Sequence, residues 1–178
     1  MTLQIATLAG GCFWCTEAIF RRLKGVIDVT SGYTGGSEDN PSYEQVSTGE
    51  TGHAETIQIK FNPELISYEK ILEVFWHLID PTTLNKQGAD EGSQYRSVIF
   101  YADEDQREIA EESKKKTEQS KTYQDPIVTT IEPLVSFYPA EDYHQNFYYK
   151  NKYSSYCQLI INPKLEKLIK DFKDQIKE

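Results

Sequence analysis

The sequence is poor in cysteine, in positive charge and in long apolar runs, and each shortage removes a class of protein. Three cysteines in 178 residues are an odd number, and too few for a disulfide-stapled scaffold. Nineteen Lys and Arg stand against 28 Asp and Glu, a formal net charge of −9. The basic face that nucleic-acid binders carry is therefore not expected. The run Lys114-Lys115-Lys116 follows Glu111 and Glu112 and reads as the solvated side of a charged helix. No apolar stretch is long enough to cross a bilayer. The opening Met1-Thr2-Leu3-Gln4-Ile5-Ala6 has no basic region followed by an apolar core, so neither export nor membrane association is expected. The cysteines are then expected to be free thiols in a reducing compartment, the cytoplasm. Apart from Cys12 and Cys15, the metal-ligand types available are Cys157, His53, His77 and His144, and none are paired at zinc-ligand spacing. No metal is expected. No repeat, low-complexity tract or linker interrupts residues 1–178, which read as one domain.

What is present alternates between strand and helix patterns. Leu3 to Ala9 is a short apolar stretch suited to a strand. From about Cys15 to Lys24, Ala18, Ile19 and Leu23 recur at helical spacing, with Gly25 as the stop. Val26 to Tyr33 is strand-like, and residues 34–41 have loop composition. Ile57, Ile59 and Phe61 alternate within a strand from Glu55 to Phe61. Ser67 caps a helix striped by Ile71, Leu72, Phe75, Leu78 and Ile79, and Ser97 to Tyr101 is a further strand. The order strand, helix, strand, strand, helix, strand is that of a ferredoxin-like βαββαβ core, an α+β architecture. A charged helix over 104–120, a strand over 127–131, an aromatic and mostly irregular segment over 137–156, and a C-terminal helix from Asn162 complete the reading.

The reactive residues cluster at Gly11-Cys12-Phe13-Trp14-Cys15-Thr16-Glu17, where a strand turns into a helix. A thiol at a helix N-terminus faces unpaired N–H groups and the positive end of the dipole, which favours thiolate. Two aromatics beside it supply an apolar wall. Glu55 opens a strand; such a residue is often just a solvated strand end, but near an apolar wall it would stay protonated and act as an acid. Tyr43, Tyr95 and Asp90 lie in loop-to-strand passages, where packing and turn chemistry are the commoner roles. Cys157 is either a buried apolar residue or a second redox thiol.

Seven strings in this order tie these pieces together: GGCFW at 10–14, SGYTGG at 31–36, NPSYEQVSTGETGHAE at 40–55, VFWHLIDPTTLNKQG at 74–88, QYRSVI at 94–99, AEDYHQNF at 140–147 and YC at 156–157. With them the chain closely resembles the peptide-methionine (S)-S-oxide reductases, the A-type methionine sulfoxide reductases. The resemblance implies an enzyme that reduces the S epimer of methionine sulfoxide, free and in oxidised proteins, as a repair activity against oxidative stress. It implies Cys12 as nucleophile, Phe13 and Trp14 as the pocket for the substrate methyl group, and Glu55 as the acid on the sulfoxide oxygen. Tyr43 and Tyr95 become hydrogen-bond donors to that oxygen, Asp90 helps to order the site, and Cys157 resolves the sulfenic acid left on Cys12. No cofactor is bound; thioredoxin or another dithiol is the external reductant. A monomer is expected.

Two departures stand out. Many members have Gly where Cys15 stands, and many end in a Gly-rich tail with a recycling cysteine, where this chain runs into a helix. Cys15 is therefore read as a redox residue that accepts the disulfide from Cys157 or pairs with Cys12 directly, the alternative being an inert helix residue. Two competing readings remain at this stage: a dithiol–disulfide oxidoreductase acting through Cys12 and Cys15, and a non-catalytic module that binds a methionine-containing or aromatic peptide.

Overall fold

The computed structural model describes residues 2–177. Its elements, in chain order, are β1 (Gln4–Ala9), α1 (Phe13–Phe20), β2 (Val26–Thr34), α2 (Tyr43–Ser47), β3 (Ala54–Phe61), α3 (Tyr68–Leu78), β4 (Lys86–Gln87) and β5 (Asp90–Glu91). After a 3₁₀ turn at Ser93–Tyr95 come β6 (Val98–Tyr101), α4 (Glu104–Gln119), β7 (Thr130–Pro133), β8 (Tyr138–Pro139), α5 (Phe147–Asn151), a π turn at Cys157–Ile161 and α6 (Asn162–Asp171). The architecture is mixed α+β, as the patterning predicts.

Six strands form one sheet in the order β7-β6-β1-β3-β2-β8, and β4 and β5 form a separate hairpin. Every pairing in the sheet is antiparallel except that of β6 with β7. The four strands predicted from alternation occupy the middle four places. β7 and β8 extend the sheet on either side, and β7 lies three residues later than predicted at its start.

Pleating decides which side chains meet. Ile57, Ile59 and Phe61 of β3 are fully buried and share one face, since alternate residues of a strand point the same way. Glu55 belongs to that same row. It lies directly opposite Tyr33 of β2, and β1 ends with Ala9 opposite Thr56. Residues 10–12 therefore leave the sheet beside Glu55. The turn passes through Gly11 at φ +81°, where an added Cβ would lie 2.8 Å from the Gln87 side chain, so glycine is required there both for conformation and for space.

Helix α1 departs from the one-sided helix that Ala18, Ile19 and Leu23 predict. All its residues except Trp14 are buried, because the sheet covers one side while α5, the π turn and α6 cover the other. It also stops at Phe20 rather than Lys24. The anchor for that outer layer is Glu17, 1% exposed. Its carboxylate accepts from Arg21 Nε at 3.1 Å and from the backbone N–H of Asn146 at 2.8 Å. Burial pushes its pKa up, opposed by those two donors. Gln145 adds a second anchor. Its amide oxygen accepts the Ser31 N–H at 2.9 Å, and its amide nitrogen donates to Ser31 O at 2.8 Å and Ala140 O at 3.0 Å. The side chain thus takes the place of a peptide unit beside β2.

Gln145→Ala leaves the N–H of the wholly buried Ser31 without its partner. A buried unpaired donor costs about 1–3 kcal/mol. We expect urea denaturation to show a loss of that size, with faster amide exchange concentrated at residues 31 and 138–147; uniform protection would contradict the anchor.

Candidate active site

Cys12 is the N-cap of α1, in extended backbone conformation, and 8% exposed. Its carbonyl accepts the N–H groups of Cys15 and Thr16, which leaves the first helical amide, that of Phe13, facing β3. Glu55 Oε2 accepts it at 3.0 Å. The carboxyl is 3% exposed, and burial pushes its pKa up to about 8 against the opposing Phe13 bond, with the Asp90 charge adding to the rise. At neutral pH Glu55 is thus a carboxylic acid with a proton to give, beside the Cys12 thiol.

The titrations of the two buried thiols are linked. Cys12 is raised, first by donating to Cys15, then by burial and by Glu55. Cys15 is lowered to about 6, first by the bond from Cys12, with Lys164 and Tyr156 contributing and burial opposing. The Tyr156 hydroxyl lies 3.8 Å from Cys15 Sγ. A dipole argument alone favours the thiolate on Cys12; here the neighbouring Cys12 thiol first, and then Lys164 of α6, favour negative charge on Cys15.

Tyr43 and Tyr95 reach the same place on two tethered supports. Ser42 caps α2 in a reciprocal capping box with Gln45, which sets Tyr43 at its first position. The 3₁₀ turn carrying Tyr95 is bonded to the end of α2 by Ser93 Oγ to Gly49 O (2.9 Å) and Gln94 Nε2 to Ser47 O (3.3 Å). Arg96 ties the same turn to Gly52 O at 2.8 Å, and the Gly11 N–H donates to Tyr95 O at 3.2 Å. Both phenols are raised, by burial first and then by Glu55, so both are neutral donors. Asp90, on the β4–β5 hairpin, acts electrostatically on Glu55, Tyr43 and Tyr95. Burial raises its own pKa, with Lys164 opposing.

His53, adjacent to this group, has a local role. Its Nδ1 accepts the Gly36 N–H at 3.1 Å and its Nε2 lies 2.7 Å from Glu38 O. This pins the 35–40 loop that leads into α2. Gly36 permits the approach, since a Cβ there would meet the backbone of Thr51 and His53 at 2.4 Å.

The aromatic wall is more enclosed than its sequence suggests. Phe13 is 1% exposed and its ring packs with Tyr33, Tyr43 and His144 at centroid distances of 5.7, 6.5 and 5.0 Å. Trp14 is half-buried. Phe147 stacks on it at 3.7 Å and 5°, and Tyr156 meets it edge-on at 5.5 Å. Cys157 is fully buried, with 0% exposure, in the π turn, and all three cysteines are unpaired. Cys12, Phe13, Trp14, Cys15, Glu55, Tyr43, Tyr95 and Asp90 therefore converge, while Cys157 lies in the layer behind α1. A cavity of about 480 Å³ between α3 and α4, lined by Trp76, His77 and Ser113 among others, contains none of these groups.

Lys164, Tyr156, Tyr33 and His144 enter this neighbourhood without being expected. Only α2 had a local signal, the Ser42–Gln45 capping-box spacing. For Lys164 there was none: 149 positions after Cys15, it is placed by the packing of α6.

Among the described residues, no helix is long and apolar enough to cross a membrane. The family profile described as Peptide methionine sulfoxide reductase matches residues 4–176. A relative from Saccharolobus solfataricus, Peptide methionine sulfoxide reductase MsrA, is 54% identical over 98% of both chains. Among solved structures, reduced Mxr1 from Saccharomyces cerevisiae superposes with a TM-score of 0.81 at 35% identity, covering 87% of this chain and 89% of that one. Mxr1 in complex with Trx2 gives 0.59 at 25% identity, over 85% of each. With a full-length profile match and more than half of its residues shared with a reductase of the same length, the chain belongs to the peptide methionine sulfoxide reductase family and is an enzyme of that activity.

Proposed function

We propose that this reductase acts on the S epimer of methionine sulfoxide, free or in oxidised proteins, with Cys12 as nucleophile and Glu55 as acid. The observation that carries the reading is the buried, protonated Glu55 carboxyl held by the Phe13 N–H at 3.0 Å beside the Cys12 thiol. A sulfoxide oxygen leaves only after protonation, and thiol–disulfide exchange needs no such acid. Cys12 sulfur attacks the sulfoxide sulfur as its own proton passes to the Cys15 thiolate. Glu55 protonates the oxygen, and the phenols of Tyr43 and Tyr95 stabilise the charge developing there. The protonated oxygen leaves the substrate sulfur and bonds to Cys12 sulfur as the transient S–S bond breaks, leaving methionine and a sulfenic acid. Phe13 and Trp14 hold the methyl group, so an apolar and a polar subsite together fix the epimer. Asp90 keeps Glu55 protonated through its charge.

The sulfenic acid then condenses with a thiol and releases water. Cys15 titrates in linkage with Cys12, one helical turn away. Cys157 is buried behind α1, and a disulfide requires Cα atoms about 5–6 Å apart. We therefore assign the first disulfide to Cys12–Cys15 and the second to Cys15–Cys157, which a thioredoxin-type dithiol reduces by exchange. The core is read as a ferredoxin-like βαββαβ unit, and the place of action as the cytoplasm. The linked titration of Cys12 and Cys15 also suits a dithiol–disulfide oxidoreductase, a reading that predicts no dependence on Glu55.

Methionine release from dabsylated S- and R-sulfoxide with dithiothreitol tests the assignment: turnover of S alone is expected, and turnover of neither would refute it. Cys12→Ser should abolish release. Cys15→Ala and Cys157→Ser should each keep one turnover and lose thioredoxin cycling. Only Cys15→Ala should leave a sulfenic acid that dimedone traps; equal trapping in both would return the first disulfide to Cys157.

Glu55→Gln should slow single turnover by about 10²-fold and remove the decline expected above pH about 8. Stability provides a second readout. Between its unfolded value near 4.5 and about 8, the folded state keeps a proton that the unfolded chain has lost. Folding stability therefore falls as pH rises through that window and levels off above it. Glu55→Gln keeps an acceptor for Phe13 and removes the titration. Its Tm should match the unaltered protein near pH 4.5 and exceed it by about 10 °C at pH 7.5; parallel Tm profiles would place an ionised carboxylate in the folded protein.

A further inference from the structure

His144 is fully buried, with 0% exposure, and stands at the centre of the aromatic wall. Its ring centroid lies 5.0 Å from Phe13, 5.7 Å from Trp14, 4.4 Å from Tyr43 and 4.0 Å from Tyr143. The Trp14 indole N–H donates to its Nδ1 at 3.0 Å. An indole nitrogen only donates, so Nδ1 carries no proton and a neutral ring holds its proton on Nε2. That atom makes no hydrogen bond, although Glu141 Oε2 lies 3.5 Å away. Glu141 is itself occupied, accepting from the Tyr33 hydroxyl at Oε1 and the Tyr143 hydroxyl at Oε2, both at 3.2 Å.

We propose that His144 is a positioning residue for the substrate wall: in its Nδ1-bare neutral form it holds the Trp14 indole in plane beside Cys12, and adding a proton at Nδ1 releases it. The proposal rests on the reading of Trp14 as part of the methyl pocket. Trp14 is held on three sides. Phe147 covers one face, Tyr156 meets it edge-on, and His144 grips the nitrogen. Stacking allows the indole to slide or turn in its plane; the bond to Nδ1 is the directional contact that fixes the rotation. The ring of His144 also lies against Tyr43, so one imidazole sets both an apolar and a polar element of the site.

The charged groups facing His144 are Glu141 on its own segment and Glu44 on α2; Tyr43 and Tyr143 face it as neutral phenols, and α1 presents only Phe13 and Trp14. Both acids favour protonation. Burial disfavours it more strongly and holds the imidazole below its ordinary range. The neutral form is thus the working form at neutral pH, and the anchor fails only on the acid side.

The test uses the reduced, full-length, ¹⁵N-labelled protein without substrate. The two tryptophans give two indole resonances, of which Trp14→Phe identifies one. The Trp14 indole signal should shift through a single transition below pH about 6.5, the ordinary histidine value. In His144→Asn the amide oxygen stands where Nδ1 stood, so the bonded resonance should persist while the transition disappears. In His144→Leu both should be lost. With S-sulfoxide as substrate, His144→Leu should raise KM about fivefold, the worth of one such bond, with kcat changed less than about twofold, and His144→Asn should restore KM. A Trp14 signal that is flat from pH 8 to 5, or unchanged in His144→Leu, overturns the proposal, as does an equal loss of kcat in both variants. Absence of any sulfoxide turnover in the unaltered protein would instead refute the function, leaving the resonances to judge the His144–Trp14 bond.

Discussion

One hydrogen bond joins the two halves of the chemistry: the first free amide of α1, on Phe13, donates to the Glu55 carboxyl at 3.0 Å. It exists because β1 ends opposite Thr56, so the strand-to-helix turn can deliver a helix N-terminus only to the neighbouring residue of β3. Register thus determines which side chain meets the thiol. The amide favours an ionised carboxyl, as helix N-termini do, yet burial prevails and Glu55 remains protonated. That balance lets a single helix end place a thiol beside a carboxyl that keeps its proton.

The supports around this bond are redundant where the site needs stiffness. Tyr43 and Tyr95 come from different loops, but the loops are bonded to each other through Ser93 and Gln94 and to the start of β3 through Arg96. Behind α1, Glu17 and Gln145 hold the segment that leads to Cys157, with Tyr148 bonded to Asn162 and Trp14 to His144.

Much of this was legible in the sequence. The period-2 row of β3, the Ser67-capped stripe of α3 and the charged α4 each follow from side-chain chemistry within a few positions. The motif strings contain Phe13, Trp14, Tyr43, Glu55 and Tyr95, which lie near Cys12 in the structure. What escaped was non-local. Lys164 lowers Cys15 from the far end of the chain, and His144 joins Trp14 across 130 positions. The balance of charge within the Cys12–Cys15 pair depends on their mutual interaction and on Lys164, neither of which a local dipole argument includes. The helix α2 was overlooked for a different reason: at five residues it is too short to show a period, and only its cap betrays it.

The Gln145 amide that replaces a peptide unit beside β2 has a meaning beyond holding its own segment. β8 pairs with only two residues of β2, so without that amide the next stretch of β2 backbone would be an open edge. An open edge is a template for any extended chain. By finishing the edge with a side chain, the molecule closes this stretch of β2 to strand addition.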